Sequence, residues 1–175
     1  MTSRQEKLDA LRALSAQQVC LRVAIAVSPL VCLMASSAAG RVATIVVPIV
    51  ALLGVLCATR PDSHMGVVLV GTLAWQWVVG VDDAGSAWTV LAAFAILLLH
   101  TSIAACTIAP PSAALSAATL GRWAVRSAAV GGVVLVVWIV AVALRAVDTP
   151  GTVALAAGGA LAVAGLLALA WPRPA

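Results

Sequence analysis

The sequence predicts an all-α fold, a polytopic transmembrane helical bundle of about six helices with both chain ends on the cytoplasmic side. Three observations carry this expectation. Hydrophobic residues make up 63% of the 175-residue chain and charged residues only 9%, against about 25% charge in a soluble domain. The apolar residues fall into six runs, Val23–Ala39, Val42–Thr59, Gly66–Val81, Ala87–Ala109, Ser127–Leu144 and Val153–Trp171, and none contains Asp, Glu, Lys or Arg. The basic residues between the runs are divided unevenly between alternate gaps.

A helix rises about 1.5 Å per residue, so about 17–25 residues cross the hydrocarbon of a bilayer. Five runs reach that length, and Gly66–Val81 reaches it once one or two flanking residues are counted. A water-soluble core holding this much apolar surface in so short a chain conflicts with surface-to-volume scaling. With the N-terminus inside, the cytoplasmic segments hold Arg4, Lys7, Arg12, Arg22, Arg60, Arg122, Arg126 and Arg173, and only Arg41 and Arg145 fall outside. Short cytoplasmic loops carry such an excess. The net charge of +4 is then an orientation signal. No basic stripe interleaved with aromatics points to nucleic acid. The lipid of the cytoplasmic (inner) membrane is the expected surround.

Residues 1–22 form a polar, amphipathic cytoplasmic segment. Ser3 and Glu6 have capping-box spacing, and Leu8, Leu11, Leu14 and Val19 share one arc of a helix. It reads either as a helix lying on the leaflet or as an extension of the first span. The first two runs are separated by Gly40–Arg41, which predicts a tight outer turn. A cleaved signal peptide competes, from the basic leader and the small residues before Gly40. A re-entrant first pair is the third reading, since Pro29 and Pro48 each remove a backbone donor.

The turn Arg60-Pro61-Asp62-Ser63-His64 should end the second span, with Asp62 or Ser63 capping the third. Val81–Ser86, holding Asp82 and Asp83, makes a short outer turn, so the third and fourth spans should be antiparallel neighbours. Pro110–Pro111 ends the fourth span, and Ser112–Arg122 forms the longest inner loop, with room for a short interfacial helix. Thr149-Pro150-Gly151 turns the fifth span into the sixth, and 172–175 is a cytoplasmic tail. Trp88, Trp123 and Trp171 fall where indole rings anchor helices at headgroup level.

An ionisable group inside a span is costly and suggests function. The one such group is His100, with Gln76 the other strongly polar side chain. Counted from the Asp83–Ala84 turn, Gln76 and His100 are offset by roughly 12 Å along the bundle axis, so direct contact is not expected. His100 falls level with Val68–Thr72, where Thr72 offers a hydroxyl. A neutral histidine bonded between helices, a proton-relay or ligand site, and exposure to an inner vestibule all remain open for it. Gln76 should make an interhelical bond. Asp82 and Asp83 read as water-facing rather than as a cation site.

Cys20, Cys57 and Cys106 share the cytoplasmic edge with His64, yet no local C-x-x-C pair exists, so no metal and no cofactor is expected. Helix packing is predicted at Ser127/Gly131 and Ala128/Gly132, and at Ala154/Gly158/Ala162 and Ala156/Ala160/Ala164. Small residues four apart let backbones approach closely in lipid, inside the bundle or across a homo-oligomer seam. No signature of a soluble enzyme occurs.

The segment Arg60–His64, Trp75 and Trp77, Asp82–Asp83, Trp88, His100, Pro110–Pro111 and Arg122–Trp123 resembles small multi-pass integral membrane proteins of high-GC actinobacteria, some of them encoded near MoxR-type ATPases. The resemblance covers about residues 60–126, and no motif in it has an assigned function to carry over. It implies an accessory membrane partner. The lack of a site and the small-residue faces make a non-enzymatic scaffold of a membrane or envelope complex the first expectation, a small transporter or channel component using His100 the second, and a membrane-embedded enzyme the last.

Overall fold

The structure, a computed structural model, describes residues 15–108, 115–145 and 158–159. Residues 1–14, Pro110–Pro111, the Thr149–Gly151 turn, the sixth apolar run apart from Gly158 and Gly159, and the tail lie outside the described residues. The described chain is all-helical: α1 Ala16–Ala39, α2 Val46–Thr59, α3 Met65–Gly80, α4 Ala87–Ile108 and α5 Ala117–Arg145. Three of these, α1, α4 and α5, are long and apolar enough to cross a membrane, whereas α2 and α3 are shorter apolar helices. Two compact units divide the chain, Met1–Ser127 and Ala128–Ala175.

Helix α1 begins earlier than the apolar run that forms most of it. Ser15 caps it, its hydroxyl accepting from the Gln18 amide at 3.2 Å, which satisfies one free donor of the first turn. The polar stretch from Ala16 to Arg22 is therefore continuous with the first span. Pro29 sits inside α1 without ending it, and no re-entrant break occurs there. Gly54 of α2 approaches the Pro29 ring, where an added Cβ would meet Pro29 Cγ at 3.5 Å.

The second run does not become an 18-residue helix. Gly40–Ile45 is non-helical, and α2 has 14 residues. Pro48 is the third residue of α2, where its missing N–H costs nothing because first-turn amides have no helical acceptor. The cap expected at Asp62 or Ser63 also differs. His64 precedes α3 with no side-chain cap, and the Ser63 hydroxyl donates back to the Arg60 carbonyl at 2.8 Å. The stretch 117–122, expected in the longest inner loop, is the first part of α5, which runs 29 residues.

The core of the first unit is built around α1. Its contact with α4 is the most extensive between helices, followed in turn by α1 with α2, α2 with α3, and α1 with α3, while α3 and α4 touch only lightly. Ile25, Cys32, Leu33 and Ala35 of α1 meet Val50, Leu53 and Cys57 of α2, Leu69 and Leu73 of α3, and Ala92, Ala95, Leu99 and Cys106 of α4. Of α5, only Gly131 is buried among the described residues.

Candidate functional site

Side-chain hydrogen bonds between segments of the first unit lie at the two ends of its helix core, with His100 standing apart on α4. At one end, Gly40 and Val81 form an isolated antiparallel bridge, and the Arg41 amide donates to the Gly80 carbonyl at 2.7 Å. Gln76, only 4% exposed, donates through Nε2 to the Arg41 carbonyl at 2.8 Å. The backbones lie so close that a Cβ on Gly40 would strike the Gly80 carbonyl oxygen, and one on Gly80 would strike the Arg41 carbonyl oxygen and Gln76 Nε2. Gly40 itself is extended, at φ 173°, so proximity rather than backbone conformation excludes a side chain. Gln76 thus bonds α3 to the α1–α2 linker.

At the other end, Arg22 Nη1 donates to the Ala58 carbonyl at 2.7 Å and to that of Thr59 at 3.4 Å. A cation at a helix C-terminus satisfies carbonyls that have no helical donor and complements the helix dipole. Arg22 Nε is buried without a partner. Nearby in sequence, Gln17 Oε1 accepts from the Leu115 amide at 2.7 Å, tying the start of α1 to the entry of α5.

His100 is exposed on α4, and no hydrogen bond or ion pair joins it to another described residue. Thr72 does not reach it, since its hydroxyl donates to the Val68 carbonyl of its own helix at 2.8 Å. A Cβ on Gly66 would meet Ile103 Cδ1 at 3.1 Å, and counting from that contact puts His100 level with Leu69. No hydrogen bond joins His100, Gln76 and Thr72 to one another among the described residues. Trp75 is 70% exposed while Trp77 packs on the core.

Gly131 is buried. Gly132 and Gly158 face open space, with nothing within 4 Å of an added Cβ, and Ala160 lies outside the described residues. The close approach that the sequence reading missed is between α1 and α4. Ser28, Cys32, Ala35 and Ser36 form a small-residue stripe on α1, matched by Ala92, Ala95, Ser102, Ala105 and Cys106 on α4. Their spacing of three and four is the signal that could have revealed it. The Ser28 and Ser36 hydroxyls donate to the Ala24 and Cys32 carbonyls at 2.6 and 3.0 Å, so each presents a small, satisfied surface. Beside this seam an apolar groove of about 200 Å³ runs between Ala24, Val27 and Val31 and Leu91, Phe94 and Leu98.

Asp82 and Asp83 are exposed, and Asp83 Oδ1 accepts from the Gly85 amide at 2.8 Å, which shapes the turn. Cys20 is exposed, whereas Cys57 and Cys106 are buried. Among the described residues no group of three or more His, Cys, Asp or Glu is placed to hold a metal ion. No family model, curated protein or solved structure matches the chain.

Proposed function

We propose that this chain is a multi-pass protein of the cytoplasmic membrane, with six spans and both ends inside, that acts as a non-enzymatic accessory or scaffold of a membrane or envelope complex. The observation that carries the reading is where the polar groups point. Gln76, Arg22, Ser28 and Ser36 direct their bonds to backbone carbonyls that hold helices together or lie within their own helix. Large apolar side chains meanwhile face outward, among them Val67, Trp75, Val78 and Val79 of α3. Helices buried on one side and apolar on the other suit lipid and protein neighbours rather than catalysis.

The test is crosslinking in native membranes followed by purification in mild detergent. A stable partner should co-elute with the chain, and a chain that always elutes alone counts against the scaffold. The second reading is a small transporter or channel component. The outward imidazole of His100 favours it, as a polar group available to something beyond the chain. If His100→Ala leaves solute flux undiminished, the transport reading falls.

A further inference from the structure

His100 lies about 20 Å along α4 from Ala87 and about 12 Å from Ile108, at 1.5 Å per residue. With α4 across a bilayer, its exposed imidazole sits within hydrocarbon, beyond easy reach of either headgroup layer. A neutral imidazole carries one donor and one acceptor, and leaving both unmet in lipid is costly. Some group at the same depth must answer them.

No carboxylate, ammonium or guanidinium occurs in any of the six apolar runs. Within the first unit, the Gln76, Thr72 and Thr101 side chains bond elsewhere, and Ser102 is buried on a different side of α4 from His100. Gln76 donates to Arg41, Thr72 donates to Val68, and the Thr101 hydroxyl donates to the Leu97 carbonyl at 2.8 Å. A two-fold axis along the membrane normal brings equivalent residues of two copies to one depth. Two imidazoles brought to one depth can share a single N–H···N bond, the donor of one ring meeting the acceptor of the other, with the rings themselves departing from exact symmetry.

We infer that the chain pairs with a second copy of itself through the His100 face of α4, the two imidazoles hydrogen-bonded to each other. Ala104 is one turn along the same face and is half-buried, small enough to let the two helices come close. The exposed face of α3 around Trp75 stays outside this seam. The inference rests on α4 lying in the bilayer and holds whichever complex the chain serves.

The full chain, labelled separately with donor and acceptor dyes, is reconstituted in phosphatidylcholine–phosphatidylglycerol vesicles. Energy transfer is then read against the protein-to-lipid ratio. Wild type should associate. His100→Leu should weaken association about 3- to 20-fold, the range expected for one interhelical bond in lipid. His100→Gln, whose amide also carries donor and acceptor, should restore it. Because His100 is exposed, both variants should keep the helical circular-dichroism signal of wild type. In a Cys20→Ser background, Ala104→Cys should form an interchain disulfide and Trp75→Cys should not. Wild type that stays monomeric at every ratio overturns the inference, as does His100→Leu pairing as strongly as wild type. A disulfide at 75 in place of 104 also overturns it. Loss of an envelope partner with pairing intact would instead count against the scaffold role alone.

Discussion

The Gln76 side-chain amide donates a 2.8 Å hydrogen bond to the main-chain carbonyl of Arg41, thirty-five residues earlier in the chain. That carbonyl belongs to a linker already bridged to the end of α3 through Gly40 and Val81. The bond and the bridge act on the same two segments, so they hold the α1–α2 connection against α3.

Replacing Gln76 by Leu removes this bond and should cost about 1 kcal/mol, the scale of an interhelical hydrogen bond in lipid. Gly80→Ala should cost more, about 1–3 kcal/mol, because the added methyl strikes backbone that cannot move freely. Titration with a denaturing detergent in mixed micelles measures both. Equal stability of Gly80→Ala and wild type would show that the linker is not held against α3.

Arg22 at the end of α2 gives a second test. Arg22→Leu leaves the Ala58 and Thr59 carbonyls without their donor and should destabilise by about 1–2 kcal/mol, the upper range for a cation at a partly buried helix C-terminus. Faster amide exchange over the last turn of α2, with α4 unchanged, is the local signature. Exchange that rises evenly along both helices would argue against a capping role.

The α1–α4 seam and the open glycines should respond in opposite ways. Ala95→Leu inserts bulk where Ala95 is 6% exposed, and should cost about 1–3 kcal/mol by overpacking. Gly71→Ala and Gly132→Ala add a methyl in open space within helices. Each should be neutral or stabilising by up to about 1 kcal/mol, since Ala is the better helix former. The same detergent titration ranks all three variants.

The orientation proposed from the arginine distribution is open to a reporter experiment. An enzyme active only beyond the membrane, inserted between Asp83 and Ala84, should be active. The same enzyme fused after Ala175 should be silent. The reverse pattern would invert the topology.

Helix formation was readable from the residues. Every described run holds a helix, although Val42–Ile45 of the second run is not helical, and Arg60 before Pro61 leaves helical geometry at φ −135°, as the steric demand of the proline ring requires. The span limits were less readable. Residues 117–122 read as part of the longest inner loop, yet they begin an apolar helix, because a backbone already wound extends at little cost. The helical continuation through Ala16–Arg22, by contrast, was one of the two readings the sequence offered. The shortening of α2 was not readable, because it follows from Gly40 and Arg41 pairing with residues of α3.

The site divides in the same way. The offset of Gln76 from His100, and the depth of His100 near Leu69, follow from the rise of a helix and needed only counting. Which way each side chain faces did not follow. In an Ala/Val/Leu-rich helix every face is apolar, so periodicity gives no direction. Small-residue spacing marks many faces alike, among them those on the fifth and sixth runs that the sequence singled out.

By itself, then, the sequence determined that the described chain is helical and that several helices match the thickness of a membrane. Composition and the rise per residue suffice for that. Only the tertiary structure decided that α1 packs chiefly on α4, that Gln76 closes onto Arg41, and that His100 faces outward. Those outcomes depend on shape and on hydrogen bonds between residues far apart in the chain, and neither leaves a local pattern when every surface is apolar.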